Sequence, residues 1–153
     1  MAFLPNHVYD CECLSCVIKM RGTPGPQALL TASDYGDLAL VREIIAHGVY
    51  DNDPSLANGY SALMAASSEC HDDVVKELLL MGSNPNAATI DKGFTSLMYA
   101  SEMGGHDVVV ALLAWGANPN MVTKDGSTAW SMANANYRTN ICELLVEAGA
   151  RPI

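Results

Sequence analysis

Glycine returns in this chain on a fixed period. Gly48, Gly82, Gly116 and Gly149 stand 34, 34 and 33 residues apart, and a second series, Gly59, Gly93 and Gly126, repeats at 34 and 33. Two markers sharing one period define a tandem repeat. A unit of this length is one supersecondary element, which cannot bury its apolar face alone and must stack on its neighbours. Superposing the units aligns Leu29, Leu63, Leu97 and Trp130, each 19 residues before a glycine of the first series. Three residues further on stand Ala32, Ala66, Ala100 and Ala133, and eleven further on Leu40, Val74, Val108 and Ile141. The pairs Ile44-Ile45, Leu78-Leu79, Leu112-Leu113 and Leu145-Val146 follow at a shared offset. Each unit thus carries two short apolar stripes at helical spacing, parted by a turn. The invariant alanine predicts close approach of two helices.

The junctions read as turns. Asn84-Pro85-Asn86 and Asn118-Pro119-Asn120 follow their glycines, and Lys92-Gly93 and Asp125-Gly126 reverse the chain before the next unit. Ser61, Thr95 and Thr128 come two residues after these second glycines and are placed to cap the first helix of each unit. A glycine just past the second helix suits a left-handed position, where a Cβ costs energy. The prediction is an all-α solenoid of helix-turn-helix units with hairpin-like turns.

The stretches Gly93-Phe94-Thr95-Ser96-Leu97-Met98-Tyr99-Ala100 and Leu112-Leu113-Ala114-Trp115-Gly116-Ala117-Asn118-Pro119-Asn120 resemble the ankyrin-repeat family. The family's Thr-Pro-Leu-His-x-Ala signature is eroded: its proline is Ala62, Ser96 or Ala129, and its histidine Met64, Met98 or Ser131. The resemblance covers residues 28 to 153, as four repeats at about 28–57, 58–91, 92–124 and 125–153. The first is degenerate, with an acidic link from Val49 to Asn58. The last has the polar character of a cap, which we read as a first helix carrying Ser131, Asn134, Asn136, Arg138 and Asn140. The domain is expected at 27–153, with residues 1–26 a separate, flexible segment bounded by Thr23-Pro24-Gly25-Pro26.

Composition narrows the function. The formal net charge is -9, from 17 acidic and 8 basic residues. Phosphate contacts need basic surface, so nucleic acid and anionic membranes are disfavoured and a neutral or basic protein partner is favoured. The start of the chain has no basic segment leading into an apolar run, and no apolar run approaches the ~20 residues of a membrane span. Five cysteines, an odd number, fit a reducing compartment, so a cytoplasmic or nuclear monomer is expected.

His7, Cys11, Cys13 and Cys16 supply four soft ligands within ten residues. Their spacing matches no structural zinc site, and a chance cluster in a tail is the preferred reading over metal binding, lipidation or redox sensing. Cys70 and Cys142 are read as packing residues on repeat helices. His47, His71 and His106 fall near helix ends with no nucleophile in register. No catalytic triad order, metal-protease histidine pair or phosphate loop is present, so no enzyme activity, metal or other cofactor is expected.

The resemblance implies binding through the hairpin tips and the concave face of the first helices. Carried over by register, the candidate partner-binding residues are Asp34, Tyr35, Tyr60, Ser68, Glu69, Phe94, Glu102, Met103 and Asn136. Tyr35, Tyr60, Phe94 and Met103 would form an apolar strip flanked by Asp34, Glu69 and Glu102, unless the rings cover the seams between repeats. A second candidate surface on the outer helices holds Leu80, Met81, Val110 and Trp115, with Trp115 either outward or folded over its own helix. The family likeness also implies hydroxylation of a hairpin asparagine eight residues after a leucine, as in Asn86 after Leu78 and Asn120 after Leu112. The expected function is a protein-protein interaction module, adaptor or masking inhibitor. The alternatives are a metal- or thiol-responsive protein acting through the N-terminal cluster, or a scaffold fragment of a larger protein.

Overall fold

The computed structural model describes residues 25–51 and 57–152. Among them eight α-helices form four antiparallel pairs: α1 (Pro26–Asp34) with α2 (Leu38–Ala46), α3 (Ala62–Ser68) with α4 (Asp72–Leu80), α5 (Ser96–Met103) with α6 (His106–Ala114), and α7 (Ala129–Ala135) with α8 (Thr139–Glu147). The odd-numbered helices stack on one another as an inner layer and the even-numbered ones as an outer layer. The described residues form no strand, only isolated bridges Ala88 to Thr95 and Val122 to Thr128 at the necks of the hairpins. This is the expected all-α repeat solenoid.

The inner helices are seven to nine residues long, too short to persist alone in water, so packing holds them. Their contact faces are small or aliphatic. Ala32, Ala66, Ala100 and Ala133 are fully buried, and so are Leu63, Met64, Ile44, Val74, Leu112 and Ile141. Met64 and Met98 fill the place of the signature histidine as apolar core. Caps set the starts: Ser61, Thr95 and Thr128 accept from the backbone N–H of Met64, Met98 and Ser131, at 3.2, 3.3 and 3.1 Å. Each such cap contributes about 1 kcal/mol. At the other end Gly48, Gly82, Gly116 and Gly149 have φ between 84° and 93°, the left-handed region predicted for them.

Successive hairpins hydrogen-bond to each other. The Ile90 N–H donates to the Asn58 carbonyl at 2.8 Å and the Lys124 N–H to the Lys92 carbonyl at 3.0 Å. Asn86 adds a clip: its Nδ2 donates to the Gly116 carbonyl at 3.0 Å while its Oδ1 accepts from the Asn118 N–H at 2.7 Å. Asn120 repeats both bonds one unit on, with the Gly149 carbonyl and the Arg151 N–H. The asparagines for which the family likeness implies hydroxylation are thus structural ties between units.

Several expectations need correction. Helix α1 begins at Pro26, with Gly25 as its N-cap, one residue before the expected domain start at 27. Proline is at home there, because the N–H it lacks has no partner in a first turn. In the last unit the first helix ends at Ala135: Asn136 and Arg138 belong to the following turn and Asn140 to α8. Val146, the second member of its apolar pair, is 46% exposed rather than buried. Cys70 is not on a helix. It occupies the α3–α4 turn at φ 60°, in the register of Gly36 and Gly104, and is exposed.

Candidate protein-binding site

The inner helices are exposed at their C-terminal ends, at Asp34, Tyr35, Glu69 and Met103, while α3 is buried from Ala62 to Ser67. The structure joins two of the predicted rings through a third that the sequence reading did not select. Tyr60 and Tyr99 meet edge to face with centroids 5.7 Å apart, and Phe94 lies tilted against Tyr99 at 5.2 Å. Tyr60 belongs to the second unit and Tyr99 to the third, so this contact spans a seam. The Tyr60 hydroxyl reaches Ser68 Oγ at 3.4 Å, bringing two candidate residues together along α3. Phe94 is half-buried against the core. Tyr35 and Met103 stand freer, 72% and 50% exposed, at the C-terminal ends of α1 and α5.

Acidic groups stand at the C-terminal ends of the inner helices. Asp34 is the last residue of α1, Glu69 the C-cap of α3, and Glu102 lies in the last turn of α5. Burial raises the Tyr99 phenol above its ordinary pKa, and Tyr60, Asp91 and Glu102 push it the same way. Asn136 holds the equivalent place in the last unit, exposed and uncharged, as the C-cap of α7.

The outer helices carry a separate feature. Leu80, Val110, Ala114 and Trp115 line an open groove of about 480 Å³ between α4 and α6, with Asp72, Lys76 and Asp107 at its polar margin. Trp115 is 48% exposed and faces this groove. Met81 does not join it. That side chain lines a smaller cavity of about 110 Å³ with Tyr50, Asp51 and Ser83, between the first and second units.

Asp51, an acid of the Val49–Asn58 link, was not singled out by sequence. Its carboxylate is buried and accepts from the backbone N–H of Ala62, and from that of Leu63 at 3.1 Å, at the N-terminus of α3. It thereby satisfies two amides that a helix start leaves open. Burial raises its pKa, while hydrogen bonds from Ser83, Leu63, Ala62 and Ser61 pull the other way.

The family model for ankyrin repeats matches the chain in three copies, over residues 4–89 and 29–123. The chain belongs to the ankyrin-repeat family. No curated protein matches it as a relative. Ankyrin repeats are generally protein-protein interaction modules and typically non-enzymatic. No helix among the described residues is long and apolar enough to cross a membrane. No group of three or more His, Cys, Asp or Glu among them is placed to hold a metal ion. His7, Cys11, Cys13 and Cys16 lie outside the described residues. Burial raises the thiol pKa of Cys70, with Glu69 adding to it and Arg138 opposing, and burial also raises that of Cys142. Neither is an activated thiolate in this ankyrin domain. His71 has a structural bond, Nε2 donating to the Asp34 carbonyl at 3.0 Å.

Proposed function

We propose that this ankyrin domain works as an adaptor or small masking inhibitor, binding another protein through its concave face and hairpin tips. The observation that carries the reading is the pair of exposed side chains Tyr35 and Met103 at the ends of inner helices, together with the Tyr60–Tyr99–Phe94 cluster. Aromatic side chains deliver large buried area at modest entropic cost and tend to dominate interfaces. The protein then acts by binding alone, as a cytoplasmic or nuclear monomer. The test is a kinetic binding assay against the partner recovered by affinity capture. Tyr35→Ala with Met103→Ala should weaken binding by about 2 kcal/mol, mostly through faster dissociation, without loss of fold. Tyr60→Ala with Phe94→Ala should do the same but also lower stability, because Phe94 packs on the core.

A second reading is favoured by the α4–α6 groove, whose exposed Trp115 is an unusual residue for a solvent-facing helix end. If Trp115→Ala abolishes binding while the concave variants bind like the parent, the outer helices carry the site.

A further inference from the structure

We propose that the groove between α4 and α6 receives an amphipathic helix of a partner, seated by apolar side chains on Trp115, Leu80 and Val110 and carrying a cation two turns away for Asp107. The inference rests on the second reading above and gives that surface its occupant; the concave face does not enter it.

The groove is open because this seam lacks the bridge that spans the one before it. Between the first two units Arg42 of α2 reaches Glu77 of α4 at 2.8 Å. One repeat further on, those two positions hold Lys76 and Ala111. Ala111 offers no charge, and Lys76 instead turns back along its own helix to Asp72 at 2.7 Å. Where an ion pair crosses the first seam, the next is an open trough of about 480 Å³. Its lining keeps large apolar groups in water: Leu80 is 61% exposed, Trp115 48% and Val110 42%. Apolar surface held in solvent around one trough costs free energy that a covering partner recovers.

The walls decide the partner's form. Both are helices, whose interior N–H and C=O groups bond to one another, so the groove offers no backbone partners to an extended strand. A helix brings its own backbone bonds and needs only side-chain contact, and a third helix packs readily between two neighbours. The lining on α4 is Asp72, Lys76 and Leu80, one row four residues apart. The rise of a helix makes that row about 12 Å long, a little over two turns. The occupant's contacts therefore fall at i, i+3 or i+4, and i+7.

Charge then sets the occupant's sign and its polarity along the groove. Asp72 and Asp107 line the N-terminal end of the two helices, and Leu80 and Trp115 the other. The hydrogen bond to Asp72 raises the Lys76 pKa, and the charges of Asp72, Asp107 and Asp73 add to it, so three acids share one lysine. Each helix N-terminus contributes roughly half a positive charge, which leaves that end negative. The Asp107 side chain is 81% exposed beside the His106 ring. A lysine or arginine fits there, on the same face of the partner helix as the apolar anchors and about seven residues from the outermost of them. A second copy of this chain, with its net charge of -9, brings the wrong sign.

The probes are helix-stapled synthetic peptides of equal composition. Each has leucines at i, i+3 and i+4 and one arginine, either at i+7 on the same face or at i+9 on the opposite face. A second pair with the order reversed covers the other orientation in the groove. Binding to the full chain is followed by fluorescence anisotropy of the labelled peptide. In one of the two orders the same-face arginine should bind about threefold tighter, the contribution of one exposed pair. Asp107→Asn should remove that preference, and Trp115→Ala should weaken binding about tenfold or more. Ala111→Glu offers Lys76 the partner that Glu77 gives Arg42, and should abolish binding while the helical circular dichroism stays that of the parent; if it does not fold, Trp115→Ala at its exposed position carries the test. Equal binding of both arginine placements in both orders, or peptides that bind Trp115→Ala as well as the parent, overturns the inference. So does a parent dimer in sedimentation that Trp115→Ala dissolves, which gives the groove to a second copy, or a Lys19–Lys76 cross-link that Trp115→Ala removes, which gives it to the chain's own first residues. If the peptides fail while Trp115→Ala still weakens the captured partner, the outer-helix reading stands and only the basic helical occupant falls. If Trp115→Ala changes neither, both fall.

Discussion

Replacing Asn86 tests whether the hairpin asparagines hold the solenoid together. The side chain makes two inter-unit bonds, Nδ2 to the Gly116 carbonyl and Oδ1 from the Asn118 N–H, at 3.0 and 2.7 Å. A neutral hydrogen bond contributes about 0.5–1.5 kcal/mol net, so Asn86→Ala should cost about 1–3 kcal/mol. Gly116 is exposed, so water replaces part of that loss and about 2 kcal/mol is the working figure. For a domain of this size, that lowers Tm by roughly 6–10 °C. Asn86→Asp separates the two bonds. One carboxylate oxygen still accepts from Asn118, but the other faces the Gly116 carbonyl with no proton to give. The aspartate should therefore be as damaging as alanine at neutral pH and should recover on acidification, when its carboxyl proton can donate. The assay is thermal and urea unfolding followed by helical circular dichroism across pH. A midpoint within about 0.5 kcal/mol of the parent for Asn86→Ala would show that the clip carries no stability. An Asn86→Asp protein with no pH dependence beyond the parent's would refute the donor role. Asn120→Ala should cost about half as much, because its bonds hold only the terminal turn at Gly149 and Arg151.

Two further outcomes are expected. Ala100→Leu should destabilise the domain by roughly 1–3 kcal/mol through overpacking, since Ala100 is fully buried where α5 meets its neighbours; an unchanged urea midpoint would mean the site has room. Asp51 has a folded-state pKa above its unfolded value, so its contribution to stability is fully present below the ordinary carboxylate range and lost as pH rises through the folded value. The parent should therefore gain stability relative to Asp51→Asn as pH falls from neutrality, and a constant Tm difference across that range would contradict a burial-raised carboxyl.

The register was legible in the sequence because the residues that set it are forced by backbone geometry. A glycine at positive φ, a capping hydroxyl and an alanine between helices each have few substitutes, so they recur visibly. What escaped depended on side chains reaching across units. Tyr99 sits inside the eroded signature and reads as one more helix residue, and only packing reveals that Tyr60 and Phe94 both meet it. Asp51 looked like one acid in an irregular link, because the amides it satisfies lie 11 and 12 residues away. Cys70 could have been placed correctly: it aligns with Gly36 and Gly104, whose positive φ it shares. The outer apolar surface divided for a similar reason, since adjacent residues Leu80 and Met81 point to different cavities.

The same contacts predict that stability is graded along the stack. The α1 helix has no side-chain cap, whereas α3, α5 and α7 each have one. The joint between the first two units relies on a buried carboxylate that resists burial, on His71 reaching the Asp34 carbonyl, and on the exposed Arg42–Glu77 pair. The joint between the second and third units has the Asn86 clip and the bond from Lys124 Nζ to the Ile90 carbonyl. A missing cap costs about 1 kcal/mol, so α1 and α2 should open at a free energy roughly 1 kcal/mol below α5 and α6. Hydrogen exchange read by mass spectrometry should show amides of Pro26–Asp34 and Leu38–Ala46 exchanging about fivefold faster than those of Ser96–Met103 and His106–Ala114. A partner that engages Asp34 as well as Glu102 must hold the first unit in place, so its binding should slow exchange in α1 and α2 most. Exchange in α1 as slow as in α5 without partner would refute the grading. Protection confined to the third unit with partner bound would show that the interface does not reach the first.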